Sequence, residues 1–168
     1  MTLPRGFNLR TAHGGELSIG RRKDRRPLCS KRPVHIVMRS SLAVGRHSLL
    51  YPKNADFIRR LVPKYAKRFH VKVYHFANVS NHLHFAVRVK DRRSFQYFLR
   101  VISGMIARKV TGAKKGKPFG RRFWDLLAWT RIIEWGKAYA IVKNYIAKNQ
   151  KQVGKRNEGY QNLDLPAP

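Results

Sequence analysis

The sequence predicts an α+β domain in which helices pack on an antiparallel sheet, preceded by a basic arm. Three observations carry that expectation. Runs of β-branched and apolar residues, VHIVMRS (34–40), VKVYHFAN (71–78) and HLHFAVRVK (82–90), read as strands. Elsewhere apolar residues recur at spacings of three and four, the period of a helix lying on a core. Two of the strands are separated by little more than the NVS turn, a connection short enough only for an antiparallel hairpin.

Each element has its own signal. Residues 1–32 carry nine basic and two acidic residues, the pair Gly14-Gly15 and almost no apolar periodicity, so a flexible arm is expected. Its densest patch is Arg21, Arg22, Lys23, Arg25 and Arg26. From Pro33 the character changes, and 33–153 reads as one domain. After the first strand, Asn54 is the expected cap of a helix to about Phe69, with Phe57, Ile58, Leu61, Val62, Tyr65, Ala66 and Phe69 on one face. Pro63 lies inside that pattern and is expected to kink or split it. Ser94 is the expected cap of a second helix with Phe95, Phe98, Leu99, Ile102, Met105, Ile106 and Val110 on its inner face. TGAKKGKP (111–118) is a Gly-rich loop carrying Lys114, Lys115 and Lys117. FWDLLAWTRII (123–133) reads as a strand, 134–150 as the last helix, and 154–168 as a disordered tail. The order arm, β, α, β, β, α, β, α is close to the ferredoxin-like motif.

Composition narrows the function. A chain of 168 residues with 43% hydrophobic residues can bury a core. Its 37 Lys and Arg against 8 Asp and Glu leave +29, a surplus best matched by a polyanionic partner, nucleic acid before an anionic membrane. The single Cys29 excludes an intrachain disulfide and a cysteine-rich zinc module. The N-terminus lacks the apolar core of a signal peptide, and no run approaches the ~20 apolar residues of a membrane span, so a cytoplasmic protein with no membrane partner is expected.

The chemistry-bearing stretch is NHLH. On a strand, side chains alternate, so Leu83, Phe85, Val87 and Val89 share one face and His82, His84, Ala86 and Arg88 the other. The two imidazoles then stand about 6–7 Å apart at the backbone, close enough to converge on one metal ion. Read alone, they are as well explained as two surface histidines. The last helix adds Tyr145 and Asn149, four residues apart and on one face, with Ala138, Ile141 and Val142 near that face. If this face docks over the histidines, Asn149 supplies an oxygen ligand and Tyr145 a hydroxyl beside it. Taken singly, Tyr145 could be a core aromatic and Asn149 a helix C-cap.

NHLH, FWD with AWTRII, and the closing YIAKNQ together resemble the single-tyrosine HUH transposases, most closely the REP-associated tyrosine transposases, over about 31–153. The family's usual Pro after the Asn is Gln150 here, so the last helix can run further, and its Met-Pro before Asn-His is Val79-Ser80. The resemblance implies that His82, His84 and Asn149 hold one divalent ion, Mg²⁺ or Mn²⁺, with the two imidazoles better suited to Mn²⁺. It implies that Tyr145 attacks the scissile phosphate of single-stranded or hairpin DNA, leaving a 5′-phosphotyrosyl link and a free 3′-OH. Arg21, Arg22, Lys23, Arg25, Arg26, Lys114, Lys115 and Lys117 are the expected DNA contacts, and the protein acts as monomer or homodimer.

Other schemes fit less well. The eight acids are scattered, with only Asp91 and Asp125 near strand ends, so a three-carboxylate nuclease is not supported. The Gly112–Gly120 stretch lacks a phosphate-loop pattern. Tyr139 is the rival nucleophile, but six residues turn a helix by about 600°, away from Asn149. A non-catalytic basic DNA- or RNA-binding module would explain the charge but not the His82, His84, Tyr145 and Asn149 set. A replication initiator or relaxase would require longer partner domains.

Overall fold

The computed structural model describes residues 11–22 and 24–161, with side chains as far as 151. Strand β1 is Ala12–His13, β2 Val34–Arg39, β3 Val71–Asn78, β4 His82–Val89 and β5 Trp129–Ile132. The helices are α1 Pro52–Arg68, α2 Arg92–Thr111 and α3 Lys137–Gln161. The strands form one sheet in the order β1-β5-β2-β4-β3, and every neighbouring pair is antiparallel.

Period-2 alternation divides the sheet into two faces. Val34, Ile36 and Met38 of β2 and Leu83, Phe85, Val87 and Val89 of β4 are buried in one cluster with Ile58, Leu61 and Val62 of α1 and Phe95, Phe98, Ile102 and Ile106 of α2. The opposite face carries a smaller cluster of Ala77, Ala86 and Ile146, flanked by Tyr74, Val79 and Val142. The expected assignment of faces in β4 therefore holds. The sheet lies between α1 and α2 on one side and α3 on the other.

Several boundaries depart from the sequence reading, each for a local reason. Helix α1 starts at Pro52 behind Tyr51, because proline fits the first helical position, where its missing N–H is not needed. Asn54 is buried inside the first turn, where its Nδ2 donates to the carbonyls of Arg46 and Ser48, both at 2.9 Å. Pro63 does not split α1, which runs unbroken across it. Helix α2 is capped by Asp91, whose carboxylate accepts from the Ser94 N–H at 2.8 Å and the Ser94 hydroxyl at 2.9 Å.

Only the last part of FWDLLAWTRII is a strand. Residues 123–128 instead cross the end of β2, held by side chains that a strand would have to turn away. The Ser40 hydroxyl donates to the Phe123 carbonyl, Asp125 Oδ1 accepts from the Ser41 N–H and hydroxyl at 2.7 and 2.8 Å, and Trp124 donates to the Ser103 carbonyl at 2.9 Å. Helix α3 passes Gln150 and reaches Gln161, as the absence of proline at 150 permits. The expected tail is thus helical backbone over 154–161, while 162–168 lie outside the described residues.

The arm is not free where it is described. Ala12 and His13 pair with Arg131 and Thr130, adding a strand to the sheet edge. Gly14, at φ 85°, lies so close to β5 that an added Cβ would collide with the Ala128 carbonyl oxygen. Arg26 donates to the Ala128 carbonyl at 2.8 Å and to Thr130 Oγ1 at 2.6 Å, while its own carbonyl accepts from Arg92 at 2.8 Å. Arg26 is therefore a tie between arm and sheet, with its Nη1 taken up by these two bonds. Arg21, Arg22 and Arg25 remain exposed, and Lys23 lies outside the described residues.

This division is measurable. Arg26→Ala should lower the unfolding free energy in urea by about 1.5–3 kcal/mol, the worth of hydrogen bonds from a charged donor. Arg21→Ala, Arg22→Ala and Arg25→Ala should each stay within about 0.5 kcal/mol of the parent.

Candidate active site

The site begins with the hairpin between β3 and β4. The Val79 N–H donates to the His82 carbonyl at 2.9 Å, and Ser80 takes the left-handed conformation at φ 65° to close the turn. Asn81 in that turn accepts at Oδ1 a hydrogen bond of 2.6 Å from His82 Nδ1. A carbonyl oxygen can only accept, so the His82 proton is on Nδ1 and its Nε2 carries a lone pair.

Pairing of β2 with β4 assembles the rest of the face. His82, His84 and Ala86 lie opposite Arg39, Val37 and His35. Directly opposed residues share a face of the sheet, so three histidines line this one. The His82 and His84 rings are edge to face at 4.7 Å, and the His35 ring lies beside that of His84, 5.5 Å between centroids and 21° between planes. His35 Nε2 and His84 Nδ1 share a hydrogen bond of 3.3 Å. His84 Nε2 is buried and has no partner.

Helix α3 covers this face. Among its described side chains the buried one is Ile146, with Val142 packed beside it, and its N-terminal end is anchored by Tyr139. A register shift between Val73 and His75 turns both Tyr74 and His75 toward α3. The His75 Nε2 and Tyr139 hydroxyl are 3.0 Å apart, and Tyr74 and Trp135 pack edge-on or tilted around the same ring. Ile141, expected near the docked face, is 68% exposed. The docked line follows 139, 142, 146 and 149 instead.

Tyr145 stands at the edge of that line. Its ring is edge-on to His84 at 5.2 Å and to His35 at 6.4 Å, yet 45% of its surface is exposed. One turn on, Asn149 is half-buried, and its Nδ2 is buried without a partner. A half-turn of the amide exchanges that nitrogen for Oδ1. Tyr139 is occupied elsewhere, and burial with the neighbouring Tyr74 pushes its phenol above the ordinary tyrosine range.

The electrostatics keep the imidazoles neutral. Burial lowers His84 well below 6.5, helped by His35 and His82, and burial lowers His35, helped by Arg131. Burial lowers His82 less strongly, with Arg39 adding to it. Neutral imidazole is the form that binds a metal ion. Two free imidazole nitrogens and an orphaned amide fit a divalent cation. Among the described residues no group of three His, Cys, Asp or Glu side chains is placed to hold a metal, so such an ion would need Asn149 and ligands from outside the chain.

The sequence reading missed His35, Asn81 and Arg39. The signal was present: in VHIVMR, the residues between Val34, Ile36 and Met38 must face away from the core. Asp91 and Asp125, the two acids noted near strand ends, cap α2 and hold the Ser41 turn. Lys114, Lys115 and Lys117 are exposed on a tight hairpin closed by two backbone bonds between Lys114 and Lys117.

The transposase family described as IS200-like matches residues 29–149, a span that contains β2 to β5 and all four candidate residues. The chain belongs to the IS200-like transposase family. Its work is thus transposition-related processing of DNA. This IS200-like transposase shares its fold with a REP-associated tyrosine transposase solved bound to a REP hairpin. That likeness has a TM-score of 0.60 at 17% identity, over 80% of this chain and 75% of the other. A candidate transposase from Deinococcus radiodurans R1 aligns over 77% of this chain and 98% of its own, at a TM-score of 0.44 and 14% identity. No curated protein matches by sequence. No helix among the described residues is long and apolar enough to cross a membrane.

The buried histidines give a pH dependence with a defined sign. The folded, metal-free chain resists protonation of His35 and His84, whereas the unfolded chain binds those protons below about 6.5. Stability must therefore fall as pH falls from about 6.5. Urea midpoints of metal-free protein should drop between about pH 7 and pH 5, and the drop should be smaller in His35→Leu.

Proposed function

We propose that this transposase cleaves and rejoins single-stranded DNA at hairpin-forming repeats through a covalent 5′-phosphotyrosine on Tyr145. The observation that carries the reading is the approach of the exposed Tyr145 ring to His84, whose buried Nε2 has no partner, with His82 at its side. The likeness to a transposase solved with a REP hairpin supports the hairpin substrate.

In this reading His82 and His84 at Nε2 and Asn149 at Oδ1 would hold a divalent cation, Mg²⁺ or Mn²⁺. Bound there, the ion supplies Lewis-acid charge to the scissile phosphate. Arg39, opposite His82 in the β2–β4 ladder, adds a cation on the same face for the phosphate oxygens. Tyr145 Oη forms a bond to phosphorus as the bond to the 3′-oxygen breaks. The phenol proton passes to water, which reaches Tyr145 through its exposed edge, and the departing 3′-oxygen takes up a proton to become a hydroxyl. Reversal of this step by another 3′-OH rejoins a strand with no nucleotide cofactor, since the ester conserves the bond energy.

The positive charge serves to hold the strand. With 37 Lys and Arg against 8 Asp and Glu, the +29 remains after every acid is counted, and the three ion pairs among the described residues are exposed. Arg21, Arg22 and Arg25 beside the edge strand and Lys114, Lys115 and Lys117 on the hairpin are the proposed phosphate contacts.

Two experiments test these roles. Tyr145→Phe should form no denaturation-resistant adduct with labelled single-stranded hairpin DNA in Mn²⁺, a loss of at least about 10³-fold, while Tyr139→Phe still forms it. His82→Ala should also lose the adduct yet keep DNA affinity, because phosphate contacts dominate binding. An adduct that survives in Tyr145→Phe would overturn the nucleophile. Separately, replacing Arg21, Arg22 and Arg25 with Ala should flatten the log–log salt dependence of DNA affinity by about 0.7–0.9 for each phosphate that is no longer neutralised. An unchanged slope would remove these arginines from the interface.

A further inference from the structure

His35 is a buried histidine with no part in the reaction as drawn, and its position is not accidental to the site. It is 8% exposed, lies side by side with His84 at 21° between planes and is met edge-on by Trp129 at 5.5 Å, so its ring is not free to turn. Its Nε2 bonds His84 Nδ1 at 3.3 Å. A hydrogen bond between two ring nitrogens holds one proton, so one ring donates and the other accepts.

The two arrangements have opposite consequences for His84. If His35 donates, the His84 proton lies on Nε2, which is buried and has no acceptor. Orphaned buried donors are rarer in folded proteins than under-used acceptors. If His84 donates, its Nε2 keeps a lone pair, and the site gains a ligand atom. His82 offers the parallel: Asn81 Oδ1 accepts its Nδ1 proton at 2.6 Å and leaves that Nε2 free as well. The two rings are then in the same tautomer, with both Nε2 atoms unprotonated and the rings 4.7 Å apart.

We infer that His35 is a positioning residue, accepting the Nδ1 proton of His84 and so keeping His84 Nε2 open to a divalent cation. The inference rests on the reading that His82 and His84 hold such an ion. Asn81 does for His82 from the hairpin turn what His35 does for His84 from the neighbouring strand. Partners of this kind fix ring orientation and tautomer, and their loss weakens metal binding by about 10–100-fold.

The test uses the full chain and has two readouts that do not depend on cleavage. Ring ¹⁵N spectra of the metal-free protein report which nitrogen of His84 carries the proton, and calorimetry with Mn²⁺ reports affinity. Wild type should show His84 protonated at Nδ1. His35→Leu should bind Mn²⁺ about 10–100-fold more weakly and show His84 with proton density at Nε2. His35→Gln, whose side-chain carbonyl can accept the same proton, should restore both readouts. A His84 proton on Nε2 in wild type, unchanged affinity in His35→Leu, or equal losses in the Leu and Gln variants would each overturn the inference. If wild type binds no Mn²⁺ while His84 is protonated at Nδ1, the hydrogen bond stands but the cation reading falls, and with it the role given to His35.

Discussion

The register between β2 and β4 is the constraint on which the rest of the molecule depends. Val34, Ile36 and Met38 meet Val87, Phe85 and Leu83 on one face, while His35, Val37 and Arg39 meet Ala86, His84 and His82 on the other. The side-chain period of a strand is two, so a slip of one residue would move every member of each set to the opposite face. It would drive the histidines into the Phe85–Phe98 core and expose the apolar row. The apolar packing that stabilises the domain thus also fixes the candidate site, and neither can be shifted without the other.

Helix α3 is tied to this sheet by far less. Among its described side chains the buried contribution is Ile146, supported by Val142 and by the aromatic group of Tyr139, Trp135, Tyr74 and His75 at its start. The larger core lies on the other side, under α1 and α2. Elements with few buried apolar neighbours open at lower free energy than the core. Such a helix suits Tyr145 in the role proposed for it, since a nucleophile there would have to meet a bulky strand. Tyr145 gains its position from ring contacts with His84 and His35, yet retains an exposed edge.

Acids and cations divide their labour clearly. Asp91 caps α2, Asp125 pins the Ser41 turn, and Asp56 pairs with Arg59 and Arg60 on α1. These three carboxylates thus support local structure away from the histidine face. Among the cations, Arg26 is bonded to the Ala128 carbonyl and the Thr130 hydroxyl, while Arg21, Arg22 and Arg25 beside it are exposed. A basic run therefore mixes residues tied into the fold with exposed ones that look alike in composition.

By itself the sequence determined the order of elements after the arm, the two faces of β4, the approximate extents of α1 and α2 and the residue types at Tyr145, Asn149, His82 and His84. These follow from local periodicity and from a short hairpin, which act over a few residues. Tertiary structure decided what depends on distant partners. His35 and His84 are 49 residues apart, and only strand pairing makes them neighbours. Residues 123–128 gave up the strand their composition favours because Ser40, Ser41 and Ser103 offered their backbone and side-chain groups better partners. The arm joined the sheet because β5 had an open edge and Gly14 could approach it. Ile141 and Ile146 are equally apolar in sequence, and only the direction from which α3 meets the sheet made one core and the other surface. Local chemistry sets which elements can form; long-range pairing sets which side chains meet.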